Sequence, residues 1–171
     1  MGRGSKAKGE SRARKDFARL RSKKSAKHLP QVQPSWVENL NGMLADPLRY
    51  EFGADSGITW KKEAGFYTCE LPNATTVDVR YRPIVVEQKG RKIGYHKKRA
   101  ELSVNIRSSQ YFDEDAKSKF EGLGAKVDDV YKGIAHLSFY LSQPDFSKER
   151  ETVNLDVILK ISPLLGYIVS R

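Results

Sequence analysis

The residues of this 171-residue chain whose types could carry catalysis or hold a metal are three histidines, one cysteine and two short acidic runs. A zinc site needs several His, Cys, Asp or Glu ligands at close, characteristic spacings. His28, His96 and His136 stand far apart in the sequence, and Cys69 has no second thiol with which to build a metal site or an internal disulfide. Within Phe66-Tyr67-Thr68-Cys69-Glu70 the cysteine reads as a core thiol, and no partner base is marked for it. Asp113-Glu114-Asp115 and Asp128-Asp129 could bind a divalent ion. Acids in the first turn of a helix and a solvated turn explain them more simply. Gly122-Leu123-Gly124-Ala125 is too short for a phosphate loop and lacks its lysine. The sequence therefore predicts no catalytic residue, no metal site and no cofactor.

What the chain holds in quantity is positive charge. Lys and Arg number 31 against 21 Asp and Glu, a net charge of +10 with a pI near 9.7. That balance favours a polyanionic partner. Its position says more than its size. Residues 1–30 hold eleven Lys or Arg and two acids, a net of +9, so the remaining 141 residues carry only +1. The cations of this arm are Arg3, Lys6, Lys8, Arg12, Arg14, Lys15, Arg19, Arg21, Lys23, Lys24 and Lys27. Phe17, Leu20 and Leu29 are its only large apolar residues beyond Met1, too few to offset the entropy of ordering it. The arm is expected to be disordered alone and, since Glu10 to Ala26 contains neither Gly nor Pro, to become helical on a phosphate lattice. Each phosphate it meets releases a condensed counterion.

A second basic stretch runs from Arg80 to Arg99. Arg80, Arg82, Lys89, Arg91, Lys92, Lys97, Lys98 and Arg99 face a single acid, Glu87, a net of +7. Lys89-Gly90-Arg91 reads as the tip of a long hairpin, with Tyr81, Tyr95 and His96 among the cations. A basic ribbon with interleaved aromatics can follow a phosphate backbone and stack on unpaired bases. An ordinary hairpin that uses Lys to protect an edge strand is the plainer alternative.

These residues need elements to position them. Pro30 and Pro34 bracket a stiff linker, residues 30–34. Ser35 is a candidate N-cap, with Trp36, Leu40, Met43 and Leu44 at helical spacing and Pro47 ending the run. The period then changes to two. Strands are predicted over Leu48–Phe52, Ile58–Lys62 and Gly65–Leu71, on Val77-Val79-Tyr81, Leu102-Val104-Ile106 and Leu137-Phe139-Leu141, and along Val153-Leu155-Val157-Leu159-Ile161. Phe112, Ala116, Phe120 and Leu123 mark one helix, stopped by Gly122 and Gly124. The reading is a basic arm (1–29), a linker (30–34) and a single domain (35–171). That domain is mainly β, or α+β, with antiparallel sheets and one or two short helices.

No stretch of about 20 consecutive apolar residues is present to span a bilayer, and the charged N-terminus lacks the apolar segment of a secretory signal. Neither membrane nor secretion is expected. Asn73-Ala74-Thr75 fits a glycosylation sequon but reads as a turn. One unpaired cysteine leans toward a reducing compartment, cytoplasm or nucleus.

The opening Met1-Gly2-Arg3-Gly4 with its basic arm, followed by Pro30-Gln31-Val32-Gln33-Pro34-Ser35-Trp36-Val37, resembles the N-terminal part of small satellite plant-virus coat proteins. The resemblance covers about the first quarter of the chain. It implies arms lying inside a virion against RNA, contacts from Arg3, Lys6, Lys8, Arg12, Arg14 and Lys15, a jelly-roll sandwich and self-assembly. Three functions follow for test. The first is a non-enzymatic coat or nucleocapsid subunit, homo-oligomeric, that packages RNA in preference to DNA. The second is a monomeric RNA or single-stranded DNA-binding module, such as a ribosome-associated protein, reading through hairpin 80–99. The third is an enzyme acting on nucleic acid, with the basic surfaces as substrate clamps, which metal-dependent cleavage abolished at Asp128 or Asp129 would support.

Overall fold

The computed structural model describes residues 29–51, 57–146 and 148–171. The eleven arm cations lie outside these residues, as do the predicted arm helix and His28. In chain order the described elements are α1 (Ser35–Met43), α2 (Ala45–Glu51), β1 (Lys61–Glu63), β2 (Phe66–Glu70), β3 (Thr76–Gln88), β4 (Arg91–Arg107), α3 (Glu114–Gly122), β5 (Lys126–Tyr131), β6 (Ile134–Ser142) and α4 (Arg150–Val169). The strands form one six-stranded sheet in the order β1-β2-β3-β4-β6-β5. The mainly antiparallel class expected from the alternation is what the chain adopts. The facing pair of sheets in a jelly roll is not: the described strands build a single sheet, and helices take the place of the second layer.

The chain falls into two units. One comprises Pro34–Ile84 and Lys98–Arg171; the other contains residues 29–33 and Val85–Lys97. In the larger unit, alternate strand residues point into one core: Tyr67 and Cys69, then Val77, Val79 and Tyr81, then Ala100, Leu102, Val104 and Ile106, then Ala135, Leu137 and Phe139. Trp36, Val37 and Leu40 of α1, Phe120 of α3 and Val157, Ile161, Leu164 and Ile168 of α4 join the same cluster. The helices thus cover one face of the sheet, and each fully buried Leu, Ile or Val contributes about 1.5–3 kcal/mol. Phe120 fills the centre, edge-on to Phe112 at 5.7 Å and to Tyr167 at 5.6 Å. The other face of the sheet carries the alternating polar residues.

α3 is close to its sequence-predicted span. Asp113 is its N-cap, accepting from the Ala116 N–H at 2.9 Å. At its end Gly124 takes φ +86°, while Ala125 N–H bonds Phe120 O and Gly124 N–H bonds Glu121 O. That paired pattern closes a helix with a left-handed glycine.

Five local expectations are corrected. Pro34, not Ser35, caps α1, and no side chain completes the cap. Pro47 does not end the helical region. It sits in the first turn of α2, where no backbone donor is required, and the strand expected from Leu48 is this helix, with Leu48 fully buried. Asp128 and Asp129 lie not in a turn but on edge strand β5, at a register irregularity between Val127 and Asp129. The largest correction is Val153–Ile161, predicted as a strand and found inside the 20-residue α4. A stripe of period two contains the spacing i, i+4. Val157 and Ile161 use that spacing to face the core, and Leu155 and Leu159 are left 53% and 63% exposed. By length and composition α4 could cross a bilayer, but its buried side belongs to the core described above.

Candidate nucleic-acid interface

The basic stretch 80–99 divides in the structure. Its outer part is the tip of the β3–β4 hairpin, joined by Lys89 at φ 52° and Gly90 at φ 71°. A two-residue turn with both φ positive matches the twist of its flanking strands. The predicted tip is therefore in place, and Lys89, Arg91, Lys92 and Lys97 are exposed around it. Lys92 Nζ lies 3.8 Å from the Tyr95 ring centroid and bonds the Tyr95 hydroxyl. A cation so placed covers one face of the ring. Among the described residues, Lys89, Arg91 and Lys92 pair with no carboxylate.

This unit has a second strand of chain against it. The Tyr95 N–H donates to Pro30 O at 2.9 Å, and Gln31 Nε2 donates to Ile93 O at 3.0 Å and to Leu29 O at 3.3 Å. Gly94 makes the approach possible. At its φ of +150° an added Cβ would lie 2.7 Å from Leu29 Cβ and 2.9 Å from Pro30 O. Sequence reasoning placed Pro30 and Gln31 in a linker and did not single out Gly94 or the contact between them. The available signal was a lone glycine within a strand pattern, which often marks close backbone approach.

The inner part of the stretch behaves differently. Lys98 and Arg99 are exposed on β4, but Arg80 and Arg82 are half-buried on the polar sheet face of the larger unit. Burial lowers the Arg80 pKa, and neighbouring Arg82 lowers it further against the opposing pull of Asp78. Acids answer the cations across this face. Arg107 donates to Asp78 at 2.8 Å, and Asp128 accepts from Lys126 at 2.6 Å and from Ser138 Oγ at 2.9 Å. The Glu101 carboxyl is pushed up by burial and by Asp128, with Arg82 and Lys126 opposing. This face is therefore a self-compensated network rather than an open cationic surface.

The remaining candidates for chemistry are occupied locally. His136 Nδ1 lies 2.8 Å from Asn105 Oδ1. Burial, with Asp78 adding to it, pushes the Cys69 thiol up to about 12. For Asp128, burial raises the pKa, but the bonds from Lys126 and Ser138 outweigh it and the net shift is downward. Asp113, Asp128 and Asp129 line an open cleft with Tyr111 and Lys117. Among the described residues no three His, Cys, Asp or Glu side chains converge as a metal site would require.

Charge follows the division into units. Residues 1–33 and 85–97 contain fifteen Lys or Arg and three acids, a net of +12. The rest of the chain contains sixteen against eighteen, a net of −2. Compared with known protein families, curated proteins and solved structures, the chain matches none of them.

Proposed function

We propose that the protein is a nucleic-acid-binding protein with a structural rather than an enzymatic role. It holds RNA by its phosphate backbone through the basic hairpin and the basic arm. The observation that carries this reading is the charge segregation: +12 on the arm, its root and the hairpin tip, against −2 on all that remains. Phosphate contacts from such a surface are sequence-independent and weaken steeply with salt. The experiment replaces Lys89, Arg91, Lys92 and Lys97 by Gln and, separately, removes residues 1–27. Each change is expected to weaken RNA binding at least tenfold while the larger unit keeps its thermal transition. Unchanged affinity in both variants would overturn the reading.

A second reading, the self-assembling coat or nucleocapsid subunit, is favoured by the outer side of α4. Leu155, Leu159, Pro163, Gly166 and Val169 are exposed there with half-buried Ser162 among them, and no charged residue interrupts the stripe. A helix apolar on both sides is ordinarily covered on both. A second copy of the same helix, antiparallel and centred near Ser162, would set each Leu159 over the partner copy's Gly166, where the missing side chain permits close approach. Light scattering tests it. Self-associating wild type and a monomeric Leu159→Glu variant would support this reading; a monomer at all concentrations, with RNA or without, would leave the binding module alone.

A further inference from the structure

We propose that Arg80 and Arg82 form a phosphate-binding site on the polar sheet face of the larger unit, and that Tyr140 takes the base of the nucleotide carrying that phosphate. The proposal goes beyond the reading above and uses none of its cations: every residue in it belongs to the larger unit.

Val77, Val79 and Tyr81 point into the core, so Arg80 and Arg82 share the opposite face of β3. Their Cα atoms stand about 6.6 Å apart along the strand, and both residues are half-buried. Elsewhere on this face Arg107 and Lys126 each meet a carboxylate, Asp78 and Asp128. Among the described residues, neither Arg80 nor Arg82 forms such a pair, and the buried Arg82 Nε has no hydrogen-bond partner. Two like charges that have given up part of their hydration and gained no direct partner are unfavourable. The Arg80 pKa is lowered, by burial first and by Arg82 second, which is the same cost felt at the proton. An anion shared between the two guanidiniums relieves both, and their planar donor forks match the oxygens of a phosphate. Asp78 is already bonded to Arg107. Glu101, which acts on Arg82, has its carboxyl pushed up by burial and by Asp128, and held toward its neutral form it repels an incoming anion less.

Tyr140 extends the site from a phosphate to a nucleotide. It pairs in register with Glu101 across β4 and β6, so it stands on the same face, 54% exposed. Only β4 separates β3 from β6, which sets Tyr140 about 9.6 Å across the sheet from the arginine strand. That is comparable with the distance from the phosphate of a nucleotide to the far side of its base. An exposed aromatic ring on a sheet is a platform on which a base stacks whatever its identity. The phosphate belongs either to a free nucleotide or to an RNA strand, and the test separates the two.

The test titrates the isotope-labelled full chain with inorganic phosphate, adenosine monophosphate and a tri-adenylate lacking terminal phosphates, at matched ionic strength, and locates binding by backbone amide shifts. Phosphate and the monophosphate are expected to move the Arg80 and Arg82 amides in wild type. They should do so equally in the chain with Lys89, Arg91, Lys92 and Lys97 replaced by Gln. Arg80→Gln combined with Arg82→Gln is expected to lose about tenfold or more in affinity for both probes. It should melt no lower than wild type, since two charges without direct partners are removed. Tyr140→Leu should lose about fivefold or more for the monophosphate and keep its affinity for inorganic phosphate. Binding of the tri-adenylate at Arg80 and Arg82 assigns the site to a strand; its failure to bind there, with the monophosphate bound, assigns the site to a free nucleotide. Amide shifts confined to the hairpin, or unchanged affinities in the double variant, would overturn the site, while the hairpin reading would stand or fall on its own variants. Unchanged monophosphate affinity in Tyr140→Leu, or an equal loss for inorganic phosphate, would overturn the role given to the ring.

Discussion

The side-chain amide of Asn41 holds both backbone polar groups of Tyr81: Asn41 Oδ1 accepts from the Tyr81 N–H at 2.7 Å, and Asn41 Nδ2 donates to the Tyr81 carbonyl at 3.0 Å. The register of β2 on β3 runs from Glu70↔Thr76 to Tyr67↔Val79. Two residues farther on, β3 has lost that partner, and an unpaired buried strand edge is costly. The amide of α1 stands in for the missing strand at the point where β3 heads toward the hairpin.

Replacing Asn41 by Ala removes two hydrogen bonds and strands both Tyr81 groups. The expected cost is about 2 kcal/mol, roughly 4–8 °C in Tm for a chain of this size. Thermal unfolding followed by circular dichroism measures it. An unchanged Tm would show that water or a neighbouring group replaces the amide without penalty.

Glu101 gives a pH dependence with a definite sign. Its carboxyl is raised in the folded state, by burial first and by Asp128 second, so between the unfolded and folded pKa values the folded chain binds more protons. Stability from this group is fully present below the unfolded carboxylate range and falls as pH rises through it. Glu101→Gln is therefore expected to melt higher than wild type at pH 7, with the difference vanishing toward pH 3. A variant that melts lower at pH 7 would mean that Arg82 and Lys126 outweigh burial.

Cys69 should be inert. It is 3% exposed with its pKa pushed up to about 12, and alkylation requires the thiolate. At pH 8 the native chain is expected to resist iodoacetamide for hours and to react within minutes in urea. The same shift means that stability declines once pH exceeds the unfolded thiol value. Rapid native labelling would contradict the burial.

Much of the fold was legible because most of its strands set their large apolar residues on one face only. Val77-Val79-Tyr81, Leu102-Val104-Ile106 and Leu137-Phe139 alternate in sequence and point inward in the structure. α4 was not legible, because Leu155 and Leu159 sit exposed on a helix whose buried residues share the same alternation. β5 was missed for the opposite reason: it is an edge strand whose residues are half-buried at most, so it carries no apolar stripe. At the candidate interface, composition located the cations and the Lys89-Gly90 turn. It could not separate the half-buried Arg80 and Arg82 from the exposed Lys89, Arg91 and Lys92, since that depends on burial and on nearby acids, Asp78 on the same strand and Glu101 on β4. Nor could it see that residues 29–31 dock at Gly94, a contact between segments some 60 residues apart.

The most direct test of the central claim is fluorescence anisotropy of a labelled 30-nucleotide RNA titrated with the full chain from 50 to 300 mM salt. If the hairpin and arm hold the phosphate backbone, log K falls linearly with log salt. At about −0.7 per phosphate contacted, six or more contacts give a slope of roughly −4 or steeper. No binding at 50 mM salt, or binding that is tight yet insensitive to salt, would contradict it.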